Sequence, residues 1–327
     1  MAAQLLYMIP LICNLHESHK KNHWHPACTD RWQLDYGKNF IMNKLFYFPV
    51  TAAPFRQNEE YKEVLPQNLE LSKYIRCFWG SIKPYFKKDT PENIVIPDTC
   101  ADIIYYIDYT ENKIDGMFCG INDTSFLEKD TTKNGHLVSV FAIRFYAWGA
   151  YKFSQDSMKE TMNKFRDVQF LFGWLDRIIR KQLFCKSSLE ERAVMAEEIF
   201  LKYMPNARQN NIIDNAAGNL ILGKGAISVA GLADSCFISI RQLERVFNEY
   251  TGITPKKLIN LVRYQFLWNE ILRNKKLDIL DAVYRYGYTD QSHLMREFKR
   301  YHTMGIQKAK EYARNNVGNI QYFHNRN

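Results

Sequence analysis

Residues 228–247 read SVAGLADSCFISIRQLERVF, and residues 278–298 read DILDAVYRYGYTDQSHLMREF. The two stretches carry one pattern. In the first, Val229, Leu232 and Ala233 form the inner face of a short helix. Cys236 to Ile238 make a turn, and Ser239 is placed to cap a second helix that points Leu243, Val246 and Phe247 inward. In the second stretch, Ile279, Ala282 and Val283 face inward, Gly287 makes the turn, and Leu294 and Phe298 anchor the next helix. Small Ala233 and Ala282 stand where two helices must cross closely. This is a helix-turn-helix unit, written twice.

Between the copies the spacing predicts one long helix. Thr254 suits its cap and Pro255 its first turn, and Leu258, Leu261, Val262, Phe266, Leu267 and Ile271 trace an apolar stripe. About 19 residues at 1.5 Å each give a rod of roughly 28 Å. One turn of B-DNA is about 34 Å, so such a rod suits two recognition helices in successive major grooves.

Leu232-Ala233, Ser239, Arg241-Gln242-Leu243-Glu244-Arg245-Val246-Phe247, Gly252-Ile253-Thr254-Pro255-Lys256 and Arg263 together resemble the first half of an AraC-type DNA-binding domain. Gly287-Tyr288-Thr289-Asp290-Gln291-Ser292-His293-Leu294, with Arg296, Phe298 and Lys299, resembles the second half. The resemblance covers residues 206–316. Two positions depart from it: Phe237 stands where many members have glycine, and Thr303-Met304-Gly305-Ile306 replaces the usual Gly-x-Thr/Ser-Pro. Ile96 to Ile104 and Ile143 to Ala150 are similar to the β-rich regulatory domain attached to one branch of the same family.

The resemblance implies a transcription regulator whose partner is double-stranded DNA, with RNA polymerase, a small-molecule effector and a second copy of the chain as further partners. It assigns base reading to Arg241, Glu244 and Arg245 on the first recognition helix, and to Gln291, Ser292, His293 and Arg296 on the second. The chemistry agrees: arginine bonds guanine bidentately, glutamate accepts from cytosine, and small hydroxyls are permissive. Glu244 has a second role open to it, pairing with Arg241. Ser239, Lys256, Lys257, Arg263, Lys299 and Arg300 are the candidates for phosphate contacts, which give affinity and salt dependence without reading sequence. For each of these residues the alternative is an ordinary solvated helix face.

The expected fold class is α+β. Residues 45–153 form a β-rich regulatory domain, with strands at Ile75 to Trp79, Ile94 to Ile96, Ile103 to Tyr109, Met117 to Cys119 and Leu137 to Phe145, broken by Asn, Asp, Pro and Gly. Residues 154–205 form a helical connector. Within it Leu171, Trp174, Leu175, Ile178 and Ile179 share a helix face, and Ser188 with Glu191 makes a capping box. Residues 206–316 form the all-α DNA-binding domain, and 317–327 a tail. Residues 1–44 read as an irregular extension.

Charge divides along the same lines. From residue 205 onward the chain holds 18 Lys and Arg against 10 Asp and Glu, within a total of 44 against 35. A basic last third on a near-neutral body points to a polyanion partner for that third. No run is long and apolar enough for a membrane span, and the short apolar opening lacks the flanks of a signal peptide. Seven scattered cysteines without a CxxC pair suit reduced thiols in a cytoplasm. The regulatory region is rich in aromatics that suit a core or an effector pocket, and Asp98, Asp102 and Arg144 suit a buried salt bridge or a ligand carboxylate, the salt bridge being preferred.

Cys13, His16, His19, His23, His25 and Cys28 cluster near the start, but their spacing lacks a paired-cysteine knuckle, so no metal and no cofactor are assigned. An enzymatic alternative is a DNA-repair methyl acceptor with an appended AraC-type domain, which needs an activated cysteine. No Ser/His/Asp order, phosphate-cradling glycine loop or HExxH helix is present, and no catalytic residue is assigned.

Overall fold

Alternating and continuous apolar runs between residues 61 and 146 form antiparallel strands in the computed structural model, which describes residues 47–52, 61–88, 94–127, 133–274 and 277–315. The expected extension at 1–44, its Cys/His cluster and the tail lie outside these residues. Strands β1 (Tyr61–Val64), β2 (Ile75–Ser81), β5 (Cys100–Asp108), β6 (Lys113–Cys119), β8 (Leu137–Tyr146) and β9 (Phe165–Asp167) make one sheet in the order β1-β2-β8-β5-β6-β9. The short β3 (Tyr85–Phe86) also pairs with β8, and β4 (Ile94–Val95) and β7 (Phe126–Leu127) form a separate two-stranded ladder. All five strands expected from sequence are present. β1, β3, β7 and β9 were not foreseen, because two to four residues give too little alternation to detect. β9 lies within the stretch read from sequence as a helical connector, so the sheet takes its last strand from beyond residue 153.

Two helices cover one sheet face: α1 (Val168–Leu183), capped by Asp167, and α2 (Leu189–Tyr203). The Ser188–Glu191 capping box forms as expected. Phe145 lies between them, 6.1 Å from the Phe172 ring and 5.8 Å from the Phe200 ring. Ile178 departs from the expected face and stands exposed, because only Leu171, Leu175 and Ile179 of that stripe are fully covered and Trp174 sits at the margin.

The remaining chain is helical: α3 (Asn211–Leu222), α4 (Val229–Ser235), α5 (Ile240–Thr251), α6 (Pro255–Arg273), α7 (Ile279–Arg285), α8 (Gln291–His302) and α9 (Ile306–Asn315). None of the described helices is long and apolar enough to cross a membrane. Helix α6 has the length, the Thr254 cap and the buried stripe read from sequence, apart from Phe266, which is only half-buried.

The helical half is not tethered loosely to the sheet. Residues 47–51 run as an extended segment between the sheet and α6. Tyr47 donates to or accepts from Thr99 across 2.7 Å, and its ring lies 5.0 Å from that of Phe266. Gln265, fully buried on α6, accepts from Val50 N at 2.8 Å and donates to Pro97 O at 2.7 Å and Val50 O at 3.2 Å. Trp268 Nε1 donates to Thr51 O and Asn269 Nδ2 to Phe48 O, at 3.0 and 2.8 Å. Phe48 O, Val50 N, Val50 O and Thr51 O thus find side-chain partners on α6, and Tyr47 O accepts from Tyr146 of β8, which is how a buried irregular segment satisfies its backbone.

Candidate nucleic-acid interface

The two helix-turn-helix units repeat down to their hydrogen bonds. In α4–α5, Ser228 caps the first helix by accepting from Gly231 N, and Ser239 caps the second by accepting from Gln242 N. In α7–α8, Asp278 accepts from Leu280 N and Asp290 from His293 N. Each turn closes with the same bond, Ile238 N to Ala233 O at 3.1 Å and Tyr288 N to Val283 O at 3.0 Å. Each passes through a left-handed residue just before that bond, Phe237 at φ +56° and Gly287 at φ +66°. The first departure from the family pattern therefore keeps the backbone of a glycine while carrying a phenyl ring that is 93% exposed. The second behaves alike: Thr303 ends α8 at φ +62°.

Apolar faces point to α6. Leu232, Ala233, Leu243 and Phe247 of the first unit are buried, as are Ala282, Leu294 and Phe298 of the second. The second unit is also pinned by polar contacts. Arg285 donates to both oxygens of Glu270 on α6, at 2.5 and 3.0 Å, and Tyr286 donates to the same carboxylate at 2.6 Å. Burial pushes the Glu270 carboxyl up, but these bonds outweigh it and hold its pKa below the usual range. His302 is enclosed between Trp268 and Phe298, and burial lowers its pKa to about 3.

The opposite faces are free. Arg241, Glu244 and Arg245 on α5, and Gln291, Ser292 and Arg296 on α8, are exposed. Among the described residues no ion pair engages Arg241, Glu244, Arg245 or Arg296, so the Glu244–Arg241 pair is not formed. Ser239, Arg241, Gln242 and Arg245 line an open concavity beside the first turn. His293 is placed differently: half-buried, its Nδ1 accepts from Thr289 N at 3.3 Å and its ring packs edge-on against Tyr288. It braces the second turn.

The phosphate set also divides. Lys256, Lys299 and Arg300 are exposed and make no ion pair among the described residues. Lys257 instead pairs with the buried Asp123 at 2.8 Å, joining α6 to the sheet half. Arg263 donates from Nε and Nη2 to Gly225 O at 3.2 Å and stacks 5.1 Å from the Tyr288 ring, tying the lead into the first unit to the turn of the second. The charged heads of these two cations are thus engaged within the protein, unlike those of Lys256, Lys299 and Arg300. Sequence spacing had missed Ile240 and Met295, apolar yet exposed on the same faces as the arginines. Their positions beside Arg241 and Arg296 were the available signal.

Elsewhere, Asp98 and Asp102 hold Arg144 in the buried salt bridge expected from sequence, at 3.2 and 2.9 Å. Asp108, Glu111 and His136 bring ligand atoms together, but Lys133 already pairs with Glu111 at 2.6 Å. Burial pushes the thiols of Cys77, Cys100 and Cys119 up, the last to about 12, the reverse of what a methyl-accepting thiolate needs.

Residues 232–311 match a family model described as a helix-turn-helix domain. The HTH-type transcriptional activator RhaS of Escherichia coli strains, among them O9:H4 strain HS and K12, is 26% identical over 120 residues. Residues 232–311 are an AraC-type helix-turn-helix domain. The alignment with RhaS takes in 35% of this chain and 43% of the relative, so the chain spans less than half the length of the curated relatives it matches. Ahead of the AraC-type domain, residues 62–167 match a model described as a domain of unknown function. That match runs to the end of β9, as the sheet does. Among solved structures, ToxT of Vibrio cholerae strain SCE256 with bound unsaturated fatty acid aligns over 71% of this chain and 94% of its own, at 11% identity and TM-score 0.35. ToxT of strain O395 aligns over 74% and 98%, at 13% identity and TM-score 0.35.

Proposed function

We propose that this chain is a sequence-specific DNA-binding transcription regulator that lays α5 and α8 in successive major grooves. The observation that carries the reading is the division of each recognition helix: its apolar face is buried on α6, while unpaired arginines stand on the face away from it. Arg241, Glu244, Arg245, Gln291, Ser292 and Arg296 read base edges, with His293 beside them as a brace, and Ile240 and Met295 meet thymine methyl groups. Ser239, Lys256, Lys299 and Arg300 contact phosphates. The sheet half receives the controlling signal from an effector or a partner. RNA polymerase and a second copy of the chain are further partners of this reading. For the second copy, the stretch after edge strand β1 leaves Leu65 and Leu69 exposed, and helix α2 leaves Val194 and Leu201 exposed.

Selection of genomic DNA fragments by the full chain in moderate salt tests the proposal. A recovered site with two short blocks about one helical turn apart supports it. Retention of all fragments alike, with a steep loss as salt rises, refutes sequence reading and leaves backbone binding alone.

A further inference from the structure

The two turns of the repeated motif share one backbone. Phe237 N donates to Asp234 O at 3.0 Å and Ile238 N to Ala233 O at 3.1 Å. In the second unit Gly287 N donates to Tyr284 O at 3.3 Å and Tyr288 N to Val283 O at 3.0 Å. Phe237 and Gly287 take the same left-handed conformation, at φ +56° and +66°. That conformation strains a phenylalanine and leaves a glycine at ease. Space does not separate the two sites. A Cβ added to Gly287 would meet only Ala226, no nearer than 3.5 Å, which is ordinary contact. Both turns thus close without help from a side chain, and the first carries a phenyl ring nonetheless.

Folding does not compensate for that ring. It is 93% exposed, so almost none of its apolar area is taken from water. A strained backbone that carries a bare aromatic side chain points to a partner outside the chain. The surroundings say which. Phe237 stands two residues ahead of Ser239, the cap of α5, and Ser239, Arg241, Gln242 and Arg245 line the concavity beside the turn. Arg241 and Arg245 are exposed and make no ion pair among the described residues. An apolar protein surface would have to strip water from both cations without pairing them. A nucleic-acid backbone pairs with them and offers, between its phosphates, the C–H faces of its sugars. With α5 in the major groove, a residue ahead of its cap lies at the groove wall, where those sugars and phosphates run.

We propose that Phe237 packs its ring on a deoxyribose of the DNA strand that borders the groove entered by α5. The inference rests on the function proposed above and deepens it. The contact reads no base, and the first unit alone makes it, since Gly287 offers no side chain at the matching place. The two halves of the DNA site are then held unequally.

The test compares the full-length parent with Phe237→Gly and Phe237→Asn, which lose the ring and suit a left-handed turn, and with Phe237→Tyr, which keeps it. Fluorescence anisotropy measures binding to a selected site. Hydroxyl-radical cleavage, which attacks deoxyribose, maps the covered sugars. Both ringless variants should bind about five- to tenfold more weakly, the effect of covering one face of a phenyl ring. Their slope of log affinity against log salt should match the parent's, because no phosphate contact is lost. One or two sugars beside the first block should become open to cleavage, with the second block unchanged. Phe237→Tyr should bind and protect as the parent does. Ringless variants within twofold of the parent overturn the proposal, as does weaker binding with every sugar still protected or with a lowered salt slope. Thermal unfolding without DNA separates contact from folding: the midpoint of Phe237→Gly should not fall below the parent's, and a fall that accounts for the weaker binding overturns the proposal. If selection retains all fragments alike, sequence reading is refuted, and the same loss of affinity on a duplex of arbitrary sequence decides this inference. A parent that binds no duplex overturns the proposed function and the inference together, whereas ringless variants that match a binding parent overturn the inference alone.

Discussion

Gln265→Leu should loosen the joint between the DNA-binding half and the sheet. The two side chains have similar volume, so the change removes polar partners and leaves little cavity. Three bonds go: those to Val50 N, Val50 O and Pro97 O. Pro97 O is enclosed and is left with an unpaired acceptor, costing about 2 kcal/mol. The two Val50 groups are partly buried and recruit some water, costing about 1 kcal/mol each. The leucine returns about 1 kcal/mol through its added apolar area. The net loss is about 3 kcal/mol, or about 4 °C in the midpoint for a chain of this size. Calorimetry of parent and variant reads the midpoint. Hydrogen exchange reads the cause, because the Val50 amide should lose protection. A variant within about 0.5 kcal/mol of the parent, with Val50 still protected, would show that α6 does not hold residues 48–51 as described.

Arg245→Ala and Arg296→Ala should each weaken binding to a selected site by about 1–3 kcal/mol with little change in stability, since both side chains are exposed; fluorescence anisotropy and thermal unfolding check the two halves of this statement. Lys299→Ala should lower the slope of log affinity against log salt by about 1, whereas Lys257→Ala should leave the slope alone and cost about 0.5–1 kcal/mol of stability through its lost pair with Asp123. At residue 237, Phe237→Gly should be about 1 kcal/mol more stable than Phe237→Ala, because both lose the same exposed ring and only alanine keeps the left-handed strain; urea unfolding of the two variants decides it. His302 should remain neutral at pH 5 by ring-nitrogen NMR. Its folded pKa, about 3, lies below its unfolded value, so the folded state binds fewer protons and stability from this group is lost as pH falls from about 6.5 toward 3.

The doubled motif was legible because its information is local, although Val229, Ile279 and Val283, read as inward, are only half-buried. Caps, turns and inward positions lie within about twenty residues of one another, and helical periodicity states which side of each helix is buried. Arg245 and Arg296 follow from the same periodicity, as residues left on the outer face once Leu243, Phe247, Leu294 and Phe298 are turned inward. Short strands were less legible. Phe165–Asp167 is exposed on all its positions and joins the sheet only because β6 presents a free edge.

Charge was the least legible property. Lys257 and Arg263 are cations on a helix in a basic domain, and nothing near them in sequence distinguishes them from Lys256 or Lys299. What separates them is Asp123 and Gly225, 134 and 38 positions away, which only folding brings within bonding distance. The same holds for the two arginines of the sheet. Sequence pointed to Arg144 and its acids, and the tertiary structure closes that group, whereas a one-residue bulge that no local pattern announces buries Arg76 against Glu63, with Nε and Nη1 unpartnered among the described residues. By itself, then, the sequence determined the two helix-turn-helix units, the rod between them and the class of the sheet half, because periodicity and capping are set by near neighbours. Which charges are free to meet a ligand was decided by the tertiary structure, because an ion pair or a buried donor depends on whatever the rest of the chain places against it.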